Sequence, residues 1–221
     1  MTHPPLQSDT HTKTQMDNMY RWTRHIYDMT RRYYLLGRNR LISGLKPQDG
    51  MQLCEIGCGT ARNLIRMARK YPRACFFGVD VSDEMLKTAR KSVEYSGMIV
   101  PLRQGYAQEF NPQTLFSLDK PLDKIVFSYA LSIIPPWQES IDHAVTLLPV
   151  GGEMHIVDFG GMERLPSWFR RFIFWWLDKF HVYHKPEILE HLQSLETDKL
   201  GTLKVTHLYR GYCYIAVFTK A

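Results

Sequence analysis

Short apolar runs separated by amphipathic segments set the rhythm of this chain. Strand-length runs fall at 51–56 (MQLCEI), 75–79 (CFFGV), 98–102 (MIVPL), 123–129 (DKIVFSY) and 153–159 (EMHIVDF). Helical patterns lie between most of them. Alternation of this kind predicts right-handed βαβ crossovers and a mostly parallel sheet with helices on both faces. Ser82 followed by Asp83 and Glu84 reads as an N-cap with two acids facing the positive end of a helix dipole. Pro135-Pro136 and Pro186 can open two further helices. The final TLKVTHLYRGYCYIAVFTK holds two β-rich runs around Tyr209-Arg210-Gly211, the pattern of an antiparallel hairpin.

The flanks differ from this core. Residues 1–13 lack apolar periodicity and read as a disordered tail, while 14–47 form a tyrosine- and arginine-rich helical arm, broken at Gly37 and stopped by Pro47. Residues 48–221 then make a single domain, as a length of 221 suggests. With 44% hydrophobic and 23% charged residues the chain can bury a core, which excludes a disordered or disulfide-scaffold protein. A net charge of +6 favours anionic partners: membrane lipid, nucleic acid or an acidic substrate. No basic cluster interleaved with aromatics accompanies that charge, so nucleic acid is not the expected partner. Cys54, Cys58, Cys75 and Cys213 contain no CxxC pair and read as buried free thiols of a reducing compartment. The polar start lacks an apolar signal core and no run reaches the roughly 18 apolar residues of a membrane span. A cytoplasmic chain that lies on a membrane, if it meets one, is the expectation. Nine scattered histidines show no ligand spacing, and no metal is expected.

The sharpest chemical signal is Glu55-Ile56-Gly57-Cys58-Gly59-Thr60-Ala61, where an apolar strand turns into the helix ARNLIRMARK. Glycines there let a ligand approach the backbone. Gly78-Val79-Asp80 ends the next strand, with Asp80 about 20 residues on, where a carboxylate can bind both ribose hydroxyls. A structural turn with Asp80 as an N-cap is the alternative. Dinucleotide binding needs a third glycine at the position held by Arg62, which argues against a nicotinamide enzyme.

Small residues at every second position after an acid (Glu55, Gly57, Gly59, Ala61) resemble the motif of class I S-adenosylmethionine-dependent methyltransferases. That resemblance implies a Rossmann-like α/β fold, a seven-stranded, mostly parallel sheet ending in an antiparallel hairpin. It also implies S-adenosylmethionine as cofactor, converted to S-adenosylhomocysteine. Glu55, Gly57, Cys58 and Gly59 would border the methionine part, Asp80 the ribose and Val81 the adenine. The family's Gly-Asp-Ala adenine motif stands here as Gly105-Tyr106-Ala107-Gln108, so Ala107 would border the cofactor and Gln108 or a backbone carbonyl would take over the contact of the missing acid. Ser128 and Tyr129 would face the reacting centre.

The arm and the fourth strand are more specific. Arg24-His25-Ile26-Tyr27-Asp28-Met29-Thr30-Arg31, Tyr33 to Ile42 and Phe127 to Trp137 together resemble the bacterial betaine-lipid N-methyltransferases over roughly residues 16 to 219. The resemblance implies successive methylation of the amino group of diacylglycerylhomoserine to the trimethylated betaine lipid. Another lipid, a quinone or a small molecule is the alternative acceptor, and a non-catalytic cofactor-binding adaptor a further reading. Tyr27 and Tyr129 would position the amine, with a core tyrosine as the alternative for each, and Asp158 would anchor the ammonium or accept its proton. Arg38 would close over the cofactor carboxylate, and Arg31 or Arg210 would hold the homoserine carboxylate. Implied partners are the lipid substrate at an anionic, inner-face membrane surface and the enzyme that makes diacylglycerylhomoserine. Residues 165–180 (LPSWFRRFIFWWLDKF) hold three of five tryptophans, with Leu165, Trp168, Phe169, Phe172, Ile173, Trp176 and Phe180 sharing one helical face. Core cover and an interfacial or acyl-chain helix are the two readings of that stripe.

Overall fold

A computed structural model of the chain describes residues 35–178 and 184–221. Seven strands make one sheet: β1 (Gln52–Ile56), β2 (Cys75–Asp80), β3 (Leu102–Gln104), β4 (Lys124–Ser128), β5 (Glu153–Phe159), β6 (Gly201–Leu208) and β7 (Cys213–Lys220). Their spatial order is β3-β2-β1-β4-β5-β7-β6. Pairing is parallel from β3 across to β5, and antiparallel for β5 with β7 and β7 with β6. The expected seven-stranded sheet with a terminal antiparallel hairpin is therefore present.

Helices α1 (Arg38–Leu45), α2 (Arg62–Lys70), α3 (Asp83–Ser96), α4 (Pro112–Phe116), α5 (Trp137–Leu147), α6 (Ser167–Asp178) and α7 (Glu187–Thr197) link and cover the strands. Period-two alternation sends Leu53 to one face and Cys54 and Ile56 to the other. On the first face Leu41 and Leu45 of α1, Leu64 and Met67 of α2 and Leu86 of α3 close a core with Val126 and Val157. On the second, Ile141 and Ala144 of α5 and Ile188 and Leu192 of α7 pack on Phe127, Ile156 and Phe218. The Ser82 cap forms as its sequence implies, its hydroxyl accepting from Met85 N at 3.3 Å; such a cap contributes about 1 kcal/mol.

Three elements depart from the sequence pattern. β3 begins at Leu102 instead of covering 98–102, and Ile99 is 92% exposed. Its ladder is set by β2, which pairs Gly78, Val79 and Asp80 with Leu102, Arg103 and Gln104, while Pro101 has no amide hydrogen to offer an edge ladder. Cys54, Cys58 and Cys213 are buried thiols, but Cys75 is exposed at the first residue of β2. The apolar stripe of residues 165–180 is split: its Leu165 and Ile173 pack inward, joined by Phe174 and Leu177 of α6, whereas its Trp168 and Phe172 are exposed.

Candidate functional site

Strand order alone places the site. From β1 the chain runs outward through β2 and β3, and β4 starts again on the other side of β1, so a crevice opens at the carboxyl ends of β1 and β4. The loop leaving β1 fills its floor. Gly57 N and Cys58 N both donate to Val79 O, at 2.8 and 3.1 Å, folding the loop back onto β2. Gly57 has φ +68, and a Cβ there would lie 2.8 Å from the Ala130 Cβ, so only glycine suits both the backbone and the space.

Asp80 pins this loop from the side. Its Oδ2 accepts from Gly59 N at 2.7 Å and its Oδ1 from Ser82 N at 2.9 Å, so one carboxylate ties the β1 turn to the start of α3. The amide of Gly105 donates to Asp80 O at 3.1 Å and Gln104 Nε2 to Val81 O at 2.9 Å. These bonds bring the turn carrying Ala107 and Gln108 alongside the end of β2, Ala107 buried and Gln108 half-buried.

The cleft walls carry opposite charges. Glu55 is 2% exposed, and its Oε1 accepts from Asn63 Nδ2 at 2.7 Å. Asn63 stands in the first turn of α2, where side chains lean back toward the helix N-terminus and so reach the strand that precedes it. Arg62 and Thr60 line the same cleft, as does Arg38 from the first turn of α1, whose Nε donates to Leu35 O at 3.1 Å. Ser128, 7% exposed, closes the β4 side, and its hydroxyl has no hydrogen-bond partner among the described residues. A buried acid, two guanidiniums, the amino end of α2 and a glycine floor together suit a zwitterion: the acid side faces an ammonium, the arginines a carboxylate.

Comparison with known proteins agrees with this arrangement. Residues 47–205 match the model of a methyltransferase domain family. The chain belongs to that family. It is 29% identical over 119 residues to a phosphatidylethanolamine N-methyltransferase of Cereibacter sphaeroides, a match covering 53% of this chain and 55% of the relative, about half of its length. A structure of a possible histamine N-methyltransferase from Thermotoga maritima superposes with TM-score 0.67 at 18% identity, covering 93% of this chain and all of that one. Phosphoethanolamine N-methyltransferase 2 of Haemonchus contortus, solved with S-adenosyl-L-methionine, gives TM-score 0.65 at 13% identity over 83% of this chain and 52% of that one. The structural likenesses carry the fold, that of the class I methyltransferases.

Within this methyltransferase domain Glu55, Gly57, Cys58, Gly59, Ser128 and Arg38 converge on one cleft. Asp80 joins them through Gly59, and Val81, Ala107 and Gln108 follow along the edge beyond it. Tyr129 is placed elsewhere: it is 1% exposed, and its hydroxyl donates to Leu36 O, so it anchors the arm and does not open onto the cleft. Asp158 is 1% exposed, with Oδ1 accepting from Phe159 N at 2.8 Å and Oδ2 from Ser132 N at 3.1 Å. Burial holds its carboxyl up at about 6 against these hydrogen bonds. Arg210 is exposed on the turn between β6 and β7 and does not line the cleft. Tyr27 and Arg31 lie outside the described residues. The Cys58 thiol is pushed well up by burial, then by the Asp80 and Glu55 carboxylates, so it contributes its backbone and no thiolate.

Sequence reading missed Leu35, Thr60, Arg62 and Asn63 as cleft residues. Arg62 and Asn63 had a usable signal, since a helix that starts at a glycine loop presents its first turn to whatever the loop holds. Leu35 had none. Among the described residues no group of three His, Cys, Asp or Glu side chains could hold a metal ion.

Proposed function

We propose that this chain is an S-adenosylmethionine-dependent N-methyltransferase that successively methylates the amino group of diacylglycerylhomoserine to the trimethylated betaine lipid. S-adenosylmethionine is the cofactor, and the cleft residues fit it. The observation that carries this fit is the side-by-side placement of buried Glu55 with Arg38 and Arg62 at a glycine floor, which complements an amino-acid zwitterion. When bound, the cofactor supplies an electrophilic methyl on a sulfonium and leaves as S-adenosylhomocysteine.

The chain's own residues bind and orient. With the cofactor bound, Glu55 would receive the ammonium, Arg38 and Arg62 the carboxylate and Asp80 the ribose hydroxyls, and the Ser128 hydroxyl would gain a polar partner that it lacks among the described residues. Val81, Ala107 and Gln108 border the adenine. Tyr27 of the arm positions the acceptor amine, and Tyr129 acts through Leu36 by holding the arm.

An acceptor amine must be neutral to use its lone pair. If its solution pKa lies at about 8 to 10, losing the proton at neutral pH costs roughly 1 to 4 kcal/mol. Holding two reactants in line contributes about 7 to 11 kcal/mol. Positioning therefore outweighs base strength in this site.

Amine acceptors are favoured because one curated relative is a phosphatidylethanolamine N-methyltransferase, which also supports phosphatidylethanolamine as the second reading. Mass spectrometry of lipids after incubation with S-adenosylmethionine separates the two. Sequential gains of one, two and three methyl groups on diacylglycerylhomoserine are expected. Methylation of phosphatidylethanolamine alone would replace the betaine-lipid reading, and no mass change on either would remove the aminolipid acceptor.

A further inference from the structure

We propose that α6 and the turn between β6 and β7 form one surface that docks on anionic lipid bilayers. The rotation of α6 carries this. With Ile173, Phe174 and Leu177 packed inward, Trp168, Phe172 and Trp175 emerge at i, i+4 and i+7 on the outer face. They are 69%, 50% and 54% exposed, and the Phe172 and Trp175 rings lie 6.0 Å apart. Large exposed aromatics in one row are unusual on a soluble face and mark an interaction surface.

A second element joins the row. Met162 N donates to Gly211 O at 3.0 Å and Gly160 N to Tyr212 O at 2.9 Å, which staples the segment leading into α6 to the β6–β7 turn. That turn presents Tyr209, 54% exposed, and exposed Arg210. The combined surface lies beyond the carboxyl end of β5, the same end of the parallel strands at which the cleft opens.

Charge selects the occupant. Across α6, the segment leading into it and the turn, exposed Arg164, Arg171 and Arg210 outnumber Glu163 and Asp178, so the surface is cationic. Indole, phenyl and phenol rings interleaved with guanidiniums match the headgroup boundary of a bilayer, where aromatics sit at the interface and arginines reach phosphates. Docking is independent of which amine the cleft accepts.

The test uses the full chain and large vesicles of phosphatidylglycerol with phosphatidylcholine, read by sedimentation and by tryptophan quenching with brominated lipid. Binding to the anionic vesicles, weakened by salt, is expected. The W168A/F172A/W175A variant should bind at least about tenfold more weakly, and R164Q/R171Q/R210Q should lose several-fold per charge. Both variants should retain the wild-type circular dichroism spectrum, since the replaced side chains are exposed. Unchanged pelleting of the aromatic variant would overturn the proposal. So would equal binding to vesicles of phosphatidylcholine alone. A wild-type dimer by analytical ultracentrifugation that the aromatic variant dissociates would reassign the face to a second copy of this chain.

Discussion

Single side chains in the cleft are poised for a ligand. The Ser128 hydroxyl is buried without a partner among the described residues, an arrangement that costs about 1–3 kcal/mol unless something fills it. Ser128→Ala should leave the free protein as stable as wild type or more so, while weakening cofactor binding up to about tenfold, close to 1.4 kcal/mol. Thermal melting and calorimetry read the two signs separately. Thiol chemistry follows the same logic of burial. Desolvation raises the Cys54 and Cys58 thiols well above their ordinary value and the Cys213 thiol to about 11. Among the described cysteines, iodoacetamide on the native protein should therefore modify Cys75 and spare the other three, as peptide mass mapping would show. Labelling of Cys58 would mean that the loop opens. The glycine and acid positions of this loop were legible because their backbone geometry demands particular residue types. Tyr129 and Asp158 were not, since a position at the carboxyl end of a strand does not say which way the side chain turns.

Elements meet the cleft through one latch. Tyr129 donates to Leu36 O, the Cys213 thiol approaches the same carbonyl at 3.7 Å, and Gly37 follows at φ +82, where an added Cβ would lie only 3.0 Å from Cys213 Sγ. This contact fixes where α1 starts and hence where Arg38 enters the cleft. Burial keeps the phenol protonated and so a donor. Tyr129→Phe should cost about 1 kcal/mol of stability and raise the KM for the cofactor more than it lowers kcat, because the residue acts through α1. A selective fall in kcat would instead place Tyr129 at the reacting atoms. Strands and helices were largely legible from apolar runs, caps and prolines. Exceptions arose where tertiary contacts decide: the register of β2 fixes β3, and sheet packing fixes the rotation of α6. A 12-residue helix with apolar residues on most sides leaves that rotation open to its neighbours.

Across the whole molecule, two acids at opposite ends of β5 tie stability to pH. At the amino end of the sheet Glu153 accepts from Lys124 and from His155 Nε2, the latter at 2.7 Å, and the His155 hydrogen bond is the largest influence holding its carboxyl down at about 2. A depressed acid adds stability above its ordinary range near 4.5, lost as pH falls toward 2. Glu153→Gln should thus be less stable than wild type at neutral pH, and the gap should close in acid denaturation. Asp158 has the opposite sign. Its carboxyl is raised to about 6, so its contribution is full below its ordinary value of 3.8 and is lost as pH rises through 6. Between pH 5 and 7 that loss amounts to about 1 kcal/mol, and Asp158→Asn should flatten this part of the stability profile. Neither dependence was legible in the sequence, because both come from burial and from neighbours brought together across strands.

The central claim is that the cleft between the ends of β1 and β4 binds S-adenosylmethionine, with Asp80 joining its glycine floor to the ribose. Calorimetric titration of S-adenosylhomocysteine into wild type and Asp80→Ala tests it most directly. One equivalent should bind wild type, and binding should weaken at least about tenfold in the variant, by 1.4 kcal/mol or more, with the fold retained by circular dichroism. Equal affinity in the two proteins, or no binding by wild type, would contradict it.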